Sequence, residues 1–342
     1  MNTRVATMTR DVIFSRLGQK LKSINLKTID WSALGKYLVR QVGVPVIAIV
    51  LFLVSWGGIA AQIHTSLGVL PGPGKVWEQA VSLYQEHKQE RAKEAAFIER
   101  QEKRNAAKLA RDPNAKVKIR PYTGSPTFID QMETSVITVT TGFILASLLA
   151  IPIGILCGLS STIYTALNPL IQTFKPVSPL AWLPLVTIVV SAVYVSSDPM
   201  FSKSFVTSAI TVMLCCMWPT IINTTVGASS IDKDLINVSR VLRLNWFTKV
   251  TKIVLPASIP MMFAGLRVSL GIGWMVLIAA EMLAQNPGLG KFVWDEFQNG
   301  SSNSMARIMV AVFVIGLIGF MLDRLMLLLQ RKVSWDRNAV IR

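Results

Sequence analysis

Few residues of this 342-residue chain are of types that support catalysis or metal binding, and they lie far apart. The three cysteines, Cys157, Cys215 and Cys216, all fall inside apolar runs, which predicts buried thiols. The two histidines, His64 and His87, lie far apart in polar or boundary sequence. These spacings match neither a disulfide framework nor a metal site, and they do not favour a Ser-His-Asp or Cys-His arrangement. We therefore expect no metal and no catalytic residue.

The sequence also lacks a nucleotide-binding motif. The P-loop pattern G-x-x-x-x-G-K-[ST] does not occur, because Gly74-Lys75 and Gly290-Lys291 lack the leading glycine and the following hydroxyl. The chain is therefore not expected to be an enzyme, and a transporter or channel is the better expectation.

The composition indicates a membrane protein. The chain is 51% hydrophobic and 16% charged, with a mean hydropathy of +0.47, whereas soluble domains carry roughly 25% charged residues. This excludes a disordered chain, an ordinary cytosolic enzyme and a collagen-like chain. The net charge of +16 would suit a nucleic-acid binder, but the location of the basic residues argues otherwise. They concentrate in 1–40 and 85–121, and most of the others flank apolar runs, as in proteins that contact lipid headgroups. We expect membrane lipid as a partner and no nucleic acid.

Six apolar runs are long enough to cross a bilayer as helices. The basic arm at 1–41 shows no signal-peptide pattern and should stay cytoplasmic. Six crossings then place the basic residues 227–256 and the basic tail 331–342 in the cytoplasm too, as the positive-inside rule requires. The predicted fold is an all-α integral membrane protein whose six transmembrane helices, the first at 42–63, arise from the runs Val42–Ile63, Thr134–Leu159, Tyr164–Val195, Phe205–Val226, Ala257–Ala284 and Met305–Leu329.

The same count places residues 64–129 outside the membrane. A Leu-Pro-Gly-Pro turn at 70–73 predicts a short amphipathic helix after it. The charged insert 85–121 is rich in helix formers, and Asp112-Pro113 should end its helix. We expect a solvated helix or hairpin that is dispensable for folding, because its apolar content is sparse. The alternative is a docking surface, whose excess of five positive charges could concentrate anions or guide a binding protein.

The polar stretch 227–256 contains five Lys or Arg residues and is too long for a plain turn. It predicts an amphipathic helix that begins at Asp232, with the next span beginning at Pro256. This helix is either an ordinary interfacial helix or a surface on which a cytoplasmic machine acts.

The end of this stretch resembles the cytoplasmic coupling loop of type I ABC importer permeases. Their pattern is Glu-Ala-Ala, three residues, Gly, nine residues, Ile, any residue and Leu-Pro. The segment Ile253–Pro256 matches the end of that pattern. The sequence departs from it at residues 237–239, which are Asn-Val-Ser, and at the glycine position, which is Arg243.

Further motifs across residues 130–330, the predicted permease domain, are very similar to the nitrate/sulfonate/taurine permease group. They are Asn168-Pro169, Lys175–Leu185, Gly265–Arg267, Ala280–Leu283, Gly288–Gly290 and Leu322–Arg324. Within the group, three motifs look most like the nitrate and bicarbonate permeases: Trp218–Thr224, Arg240–Leu244 and Phe292–Asp295.

The resemblance implies a permease subunit of an ATP-driven importer in a bacterial inner membrane. It implies an alternating-access pathway for a small anion, first nitrate or nitrite, with bicarbonate, cyanate or taurine and other sulfonates as alternatives. It also implies a second permease chain, as a homodimer, an external substrate-binding protein, and two cytoplasmic ABC ATPase subunits that hold ATP and Mg, with no cofactor on this chain. A secondary anion carrier or channel without an ATPase is the alternative from another class.

Three sets of site residues follow. The ATPase-coupling residues are predicted to be Asp232, Lys233, Asp234, Asn237, Ser239, Arg240, Val241, Leu242, Arg243 and Leu244. The pathway or gate candidates are Pro179, Trp182, Pro184, Arg267 and Glu281. An unpaired charge in lipid costs at least roughly 2.5–3.5 kcal/mol, and charges at matching depth in two antiparallel spans predict structural ion pairs between Arg267 and Asp323 and between Glu281 and Arg307. The alternative makes Arg267 an anion ligand.

Overall fold

A computed structural model describes residues 39–65, 68–112, 117–195 and 200–333. The chain divides into two compact units, 1–63 and 64–342. In the first unit, a π-helical turn at Val39–Gly43 leads into helix α1, Val44–Ala60. Its apolar side chains are exposed along most of its length, as expected for a helix surrounded by lipid. The arm at 1–38 lies outside the described residues, as does the tail at 334–342.

The second unit is helical apart from a two-residue antiparallel pair of strands, β1 (His64–Thr65) and β2 (Gly68–Val69). The helices that follow are α2 (Pro73–Arg111), α3 (Phe128–Leu159), α4 (Ser161–Phe174), α5 (Pro179–Val193), α6 (Lys203–Ser229), α7 (Lys233–Val241), α8 (Trp246–Lys249), α9 (Leu255–Ala284), α10 (Leu289–Asn299) and α11 (Ser304–Val333). A π-helical turn, Val250–Val254, joins α8 to α9.

The predicted helical membrane architecture is confirmed, with one correction. Among the described residues, five helical segments are long and apolar enough to cross a membrane, and α4 with α5 makes six if that bent pair is one crossing. The apolar run Tyr164–Val195 is therefore not one straight helix, because its two halves meet at 101°. Proline explains the break: Pro179 can begin a helix but leaves a missing donor if it continues one.

Helices α3, α6 and α9 form the packed centre of the bundle through small residues. A Cβ atom on Gly142 would lie 2.6 Å from the Ala209 carbonyl oxygen, and one on Gly158 would lie 2.5 Å from Cβ of Ala228. Both contacts join α3 to α6, and their order shows that these two helices run parallel. A Cβ on Gly265 would lie 2.5 Å from Cβ of Asn223, and one on Gly273 would lie 2.4 Å from Sγ of Cys216. This reversed order shows that α9 runs antiparallel to α6. Such close approach is how helices associate where no water drives them together.

The predicted short amphipathic helix and the charged insert up to Arg111 are one continuous helix, α2, of 39 residues and about 58 Å. Good helix formers continue through both segments, so nothing interrupts them. The helix ends at Arg111 with Asp112 as its C-cap, at the predicted boundary.

The first half of α2, called here the base of α2 (residues 73–91), is tied to the rest of the second unit. Glu86 pairs with Arg307 of α11, and Nη2 of Arg91 lies 3.1 Å from Oδ2 of Asp130 in α3. The Tyr122 hydroxyl donates to Glu90 at 2.6 Å, and this hydrogen bond lowers the pKa of the Glu90 carboxyl. The insert is thus solvated but anchored at one end, which the sparse apolar content did not predict.

The glycine contacts predict which substitutions the bundle tolerates. We expect Gly142→Ala to lower the thermal unfolding midpoint of the purified protein by several degrees, because its methyl group would overlap the backbone of α6. Gly271→Ala is the matched control, since a Cβ there meets nothing within 4 Å and alanine favours a helix. Fluorescence-detected unfolding in detergent measures both variants. Equal midpoints for the two would contradict the packing role.

Candidate functional site: a coupling surface and the charges of the bundle

Helix α7 occupies the predicted coupling segment. Oδ1 of Asp232 accepts a hydrogen bond from the Asp234 backbone N–H at 2.9 Å, which caps the start of the helix. Ser239 is buried, and its hydroxyl donates to the Ile236 carbonyl at 2.6 Å. The predicted helix start at Asp232 therefore agrees with the structure. That the segment acts in coupling stays a prediction.

Arg243 ends this helix in a left-handed conformation, with a φ of 47°. The Leu244 N–H donates to the Ser239 carbonyl at 3.0 Å, and the Arg243 N–H donates to the Arg240 carbonyl at 3.0 Å. This is a Schellman turn, in which the left-handed residue is usually glycine because it has no Cβ. The position where related permeases carry a glycine is thus one that the backbone geometry favours for glycine, and Arg243 adopts that geometry here.

The outer surface of α7 and the turn after it is apolar. Val241 is 82% exposed and Leu242 63%. Together with Asp234, Asn237 and Val238, they line a shallow groove of about 400 Å³. Large apolar side chains exposed side by side at the end of a bundle mark an interaction surface. Leu235, Trp246 and Phe247, which lie close by in the sequence, are exposed as well.

Arg267 of α9 and Asp323 of α11 form a two-pronged ion pair, as predicted. The Nε atom of Arg267 bonds one carboxylate oxygen, and Nη2 lies 3.0 Å from the other. Each side chain is about one third exposed. The Nε–Nη2 edge of the guanidinium is therefore occupied by the carboxylate. That this pair is structural, and that Arg267 is not an anion ligand, stays a prediction.

The predicted pair between Glu281 and Arg307 is wrong. Glu281 is fully buried and accepts hydrogen bonds from the Ser135 hydroxyl at 2.8 and 2.9 Å and from the Gly290 N–H at 3.0 Å. The carboxylate thus caps the start of α10, where a helix N-terminus favours negative charge. A Cβ on Gly288 would overlap the Glu281 carboxylate. The two motifs Ala280–Leu283 and Gly288–Gly290 are therefore one structural unit.

Arg307 instead bridges two other helices. It pairs with Glu86 of α2, and its Nη1 atom lies 3.0 Å from Oε1 of Glu296 in α10. Glu296 also accepts from the Ser304 hydroxyl at 2.8 Å. Matching depths in α9 and α11 suggested the wrong partner because α10, which the sequence did not predict, supplies closer polar groups to both residues.

The remaining pathway candidates lie at the break between α4 and α5. Pro179 is the first residue of α5, Trp182 lies in its first turn, and Pro184 lies inside the helix. Trp182 packs against Phe174 of α4, with ring centroids 5.8 Å apart. The break also contains Lys175, which is exposed. Sequence reasoning missed this residue, although a single lysine in the middle of the apolar run Tyr164–Val195 was a usable signal.

A family model for the inner membrane component of binding-protein-dependent transport systems matches residues 150–335. The chain belongs to this family. The match covers α4 to α11 and includes α7, the broken pair and the charged residues of α9 and α11. The chain is therefore a permease subunit of an ABC import system.

Among the relatives of this chain are permeases named for the anion that they transport. A nitrate import permease of Synechococcus elongatus is 37% identical over 204 residues, which cover 60% of this chain and 69% of the relative. A bicarbonate transport permease of the same organism is 35% identical over 202 residues, which cover 59% and 68%. Both belong to the group that the sequence motifs indicated.

A solved structure of a methionine ABC transporter in an inward-facing conformation shares the fold. Its match has a TM-score of 0.51 at 12% identity and covers 60% of this chain and 96% of that chain. The type I importer permease fold is thus confirmed for this permease.

The ion pair of α9 and α11 generates a test by charge exchange. We expect Arg267→Asp alone and Asp323→Arg alone each to reduce the amount of folded permease several-fold, because each leaves two like charges together. The double variant should restore most of it, since the pair is re-formed in reverse. Monodisperse protein recovered from detergent extracts and transport by the reconstituted complex are the two readouts. A double variant that assembles normally but transports nothing would make Arg267 an anion ligand instead.

Proposed function

We propose that this permease provides the alternating-access pathway of an importer for a small anion, and that nitrate or nitrite is its substrate. The 37% identity to a nitrate import permease supports nitrate. The observation that carries the mechanism is the exposed apolar surface of α7 and its turn. Exposure of Val241 and Leu242 side by side to water is unfavourable unless a partner subunit covers them.

The partners in this proposal are those that membership of the permease family implies. Two copies of this chain pair with two cytoplasmic ATPase subunits, which hold ATP and Mg, and with an external binding protein. When ATP closes the ATPases, they move α7, and the bundle opens outward to receive the anion. After hydrolysis it opens inward and releases the anion. This chain supplies the coupling surface and the pathway, and it supplies no catalytic group.

The orientation in the proposal keeps both termini of the chain in the cytoplasm of a bacterial cell with the permease in the inner membrane. α7 then lies on the cytoplasmic side. The start of α3 and the base of α2, joined by Arg91 and Asp130, lie on the outer side. The charged insert is therefore external in this proposal.

Bicarbonate is the second candidate substrate, because a bicarbonate permease is 35% identical to this chain. Cyanate and taurine or other sulfonates remain further alternatives from the sequence. An anion carrier or channel without an ATPase is the competing mechanism.

The coupling role predicts the effect of a charge reversal. We expect Arg243→Glu to leave ATP hydrolysis by the complex but to reduce anion uptake per ATP by tenfold or more. Arg243→Gly removes the side chain and also relieves the left-handed backbone. A loss of coupling in this variant would therefore come from the missing side chain and not from strain in the turn. Arg104→Glu, an exposed reversal on α2, is the matched control. Normal uptake per ATP in Arg243→Glu would contradict the coupling role.

The decisive experiment on function is uptake by the complex of permease, ATPases and binding protein in proteoliposomes. We expect labelled nitrate to accumulate only with ATP inside, and excess nitrite to compete more strongly than bicarbonate or taurine. Removing ATP while an ion gradient is kept should abolish uptake. Uptake driven by the gradient alone would show a secondary carrier, and stronger competition by bicarbonate would replace nitrate as the substrate.

A further inference from the structure

Lys175 lies near the middle of the depth that the bundle spans. Its neighbour Phe174 stacks on Trp218 of α6, with ring centroids 6.0 Å apart. Trp218 lies about 22 Å from one end of α6 and about 16 Å from the other, at 1.5 Å per residue. Ile272, in the middle part of α9, lines the same cavity as Lys175. The break between α4 and α5 is therefore far from both ends of the long helices.

A lone cation at this depth is unfavourable in lipid. Lys175 forms no ion pair with any carboxylate in the part of the chain that the structure describes. A lysine at the bilayer centre costs at least roughly 2.5–3.5 kcal/mol, so such residues face the protein interior or water. Non-helical backbone, such as residues 175–178, is likewise tolerated at this depth only inside protein or beside a water-filled cavity. Both constraints require that the break faces protein or water rather than lipid.

The helix ends at the break do not neutralise this charge. α4 ends at Phe174 with Lys175 as its C-cap, and α5 begins at Pro179. The partial charges of a helix C-terminus and N-terminus are about −0.5 and +0.5, so the two ends offset one another. The full charge of Lys175 remains.

A cavity of about 300 Å³ lies at this break. Its lining contains Lys175, Ser178 and Trp218, together with apolar side chains, and no acidic residue. The indole Nε1 of Trp218 is buried without an acceptor among the described residues. Because a water molecule occupies about 30 Å³ of liquid, the cavity has room for a small oxyanion with several waters. A cation, an unused donor and the lack of carboxylates together favour an anion.

Arg267 does not offer the same chemistry. Its guanidinium is held by two bonds to Asp323, so the net charge of that pair is zero. Arg324 lies over the Phe320 ring, 4.8 Å from its centroid, and is only nine residues from the end of α11. Among the described cations of the long helices and the break, Lys175 is therefore the one at mid-depth that no carboxylate neutralises.

We propose that the cavity at the α4–α5 break is a mid-depth binding subsite for a small inorganic oxyanion, with Lys175 as its cation. The inference rests on the proposed anion transport and names the contact that the anion makes inside the permease. The side chain attracts the anion into the bundle, and no carboxylate in the cavity lining competes for its charge. A single cation holds the anion weakly enough for it to leave again.

The first experiment compares uptake of labelled nitrate by reconstituted complexes that carry Lys175→Gln, Lys175→Arg or Lys203→Gln. We expect Lys175→Gln to lower the initial rate at least tenfold and Lys175→Arg to keep most of it. Lys203→Gln is the matched control, because Lys203 is an exposed lysine at the first position of α6. Uptake by Lys175→Gln at the rate of the control would overturn the proposal.

The second experiment reads the local charge without transport. Ser178→Cys is introduced after Cys157, Cys215 and Cys216 are replaced by alanine. The rate at which the new thiol is modified is then compared for two methanethiosulfonate reagents, one with an anionic sulfonatoethyl group and one with a cationic trimethylammonium-ethyl group. We expect the ratio of anionic to cationic rates to fall at least fivefold when Lys175→Gln is added, and nitrate to slow the reaction while Lys175 is present.

The two readouts separate the two claims. Lost uptake with an unchanged reagent ratio would mean that Lys175 only supports the fold, which overturns the subsite. The ratio could instead fall, and nitrate could protect the thiol, in a complex that imports none of the tested anions. That result would support the subsite, and the proposed transport function would fail. Lost uptake together with a fallen ratio supports both.

Discussion

The close approach of α3, α6 and α9 is the contact on which the rest of this permease depends. Helices in lipid gain nothing from leaving water, so they associate through van der Waals contact between backbones that small residues allow to meet. Gly142, Gly158 and Gly273 provide these contacts along the length of α6. They fix the direction and the level of each long helix, and every polar group in the bundle is placed relative to them.

The charged residues of the bundle differ in the partners that the fold gives them. Arg267 is neutralised by Asp323, and Glu281 is used as a cap for α10. Arg307 joins three helices through two carboxylates. Lys175 alone among these three cations has no carboxylate partner in the described structure. In a medium of low polarity an ionic group is retained only if it is paired or if it faces water, so the pattern of pairing separates charges that hold the bundle from the charge available to a substrate.

The two ends of the bundle present different surfaces. α7 and the turn at Arg243 expose a cluster of apolar side chains, which suits a stable contact with another subunit. α2 at the other end is mostly charged and is tied to the bundle by ion pairs such as Arg91–Asp130. Exposed ion pairs are weak individually, so the base of α2 is held by several of them together with the Tyr122–Glu90 hydrogen bond.

The sequence by itself determined the helical membrane architecture, the start of α7 at Asp232, the end of α2 at Arg111 and the contact of Arg267 with Asp323. Apolar runs, cap residues and the cost of a lone charge are local or pairwise properties, and they can be read without knowing the packing. Only the tertiary structure decided the 101° break at residues 175–178, the insertion of α10, and the true partners of Glu281 and Arg307. Which of several polar groups at similar depth becomes the partner of a charged side chain depends on which helices are neighbours. A hydropathy pattern does not contain that information. The mid-depth position of Lys175 follows in the same way from the stacking of Phe174 on Trp218, a contact between residues far apart in the chain.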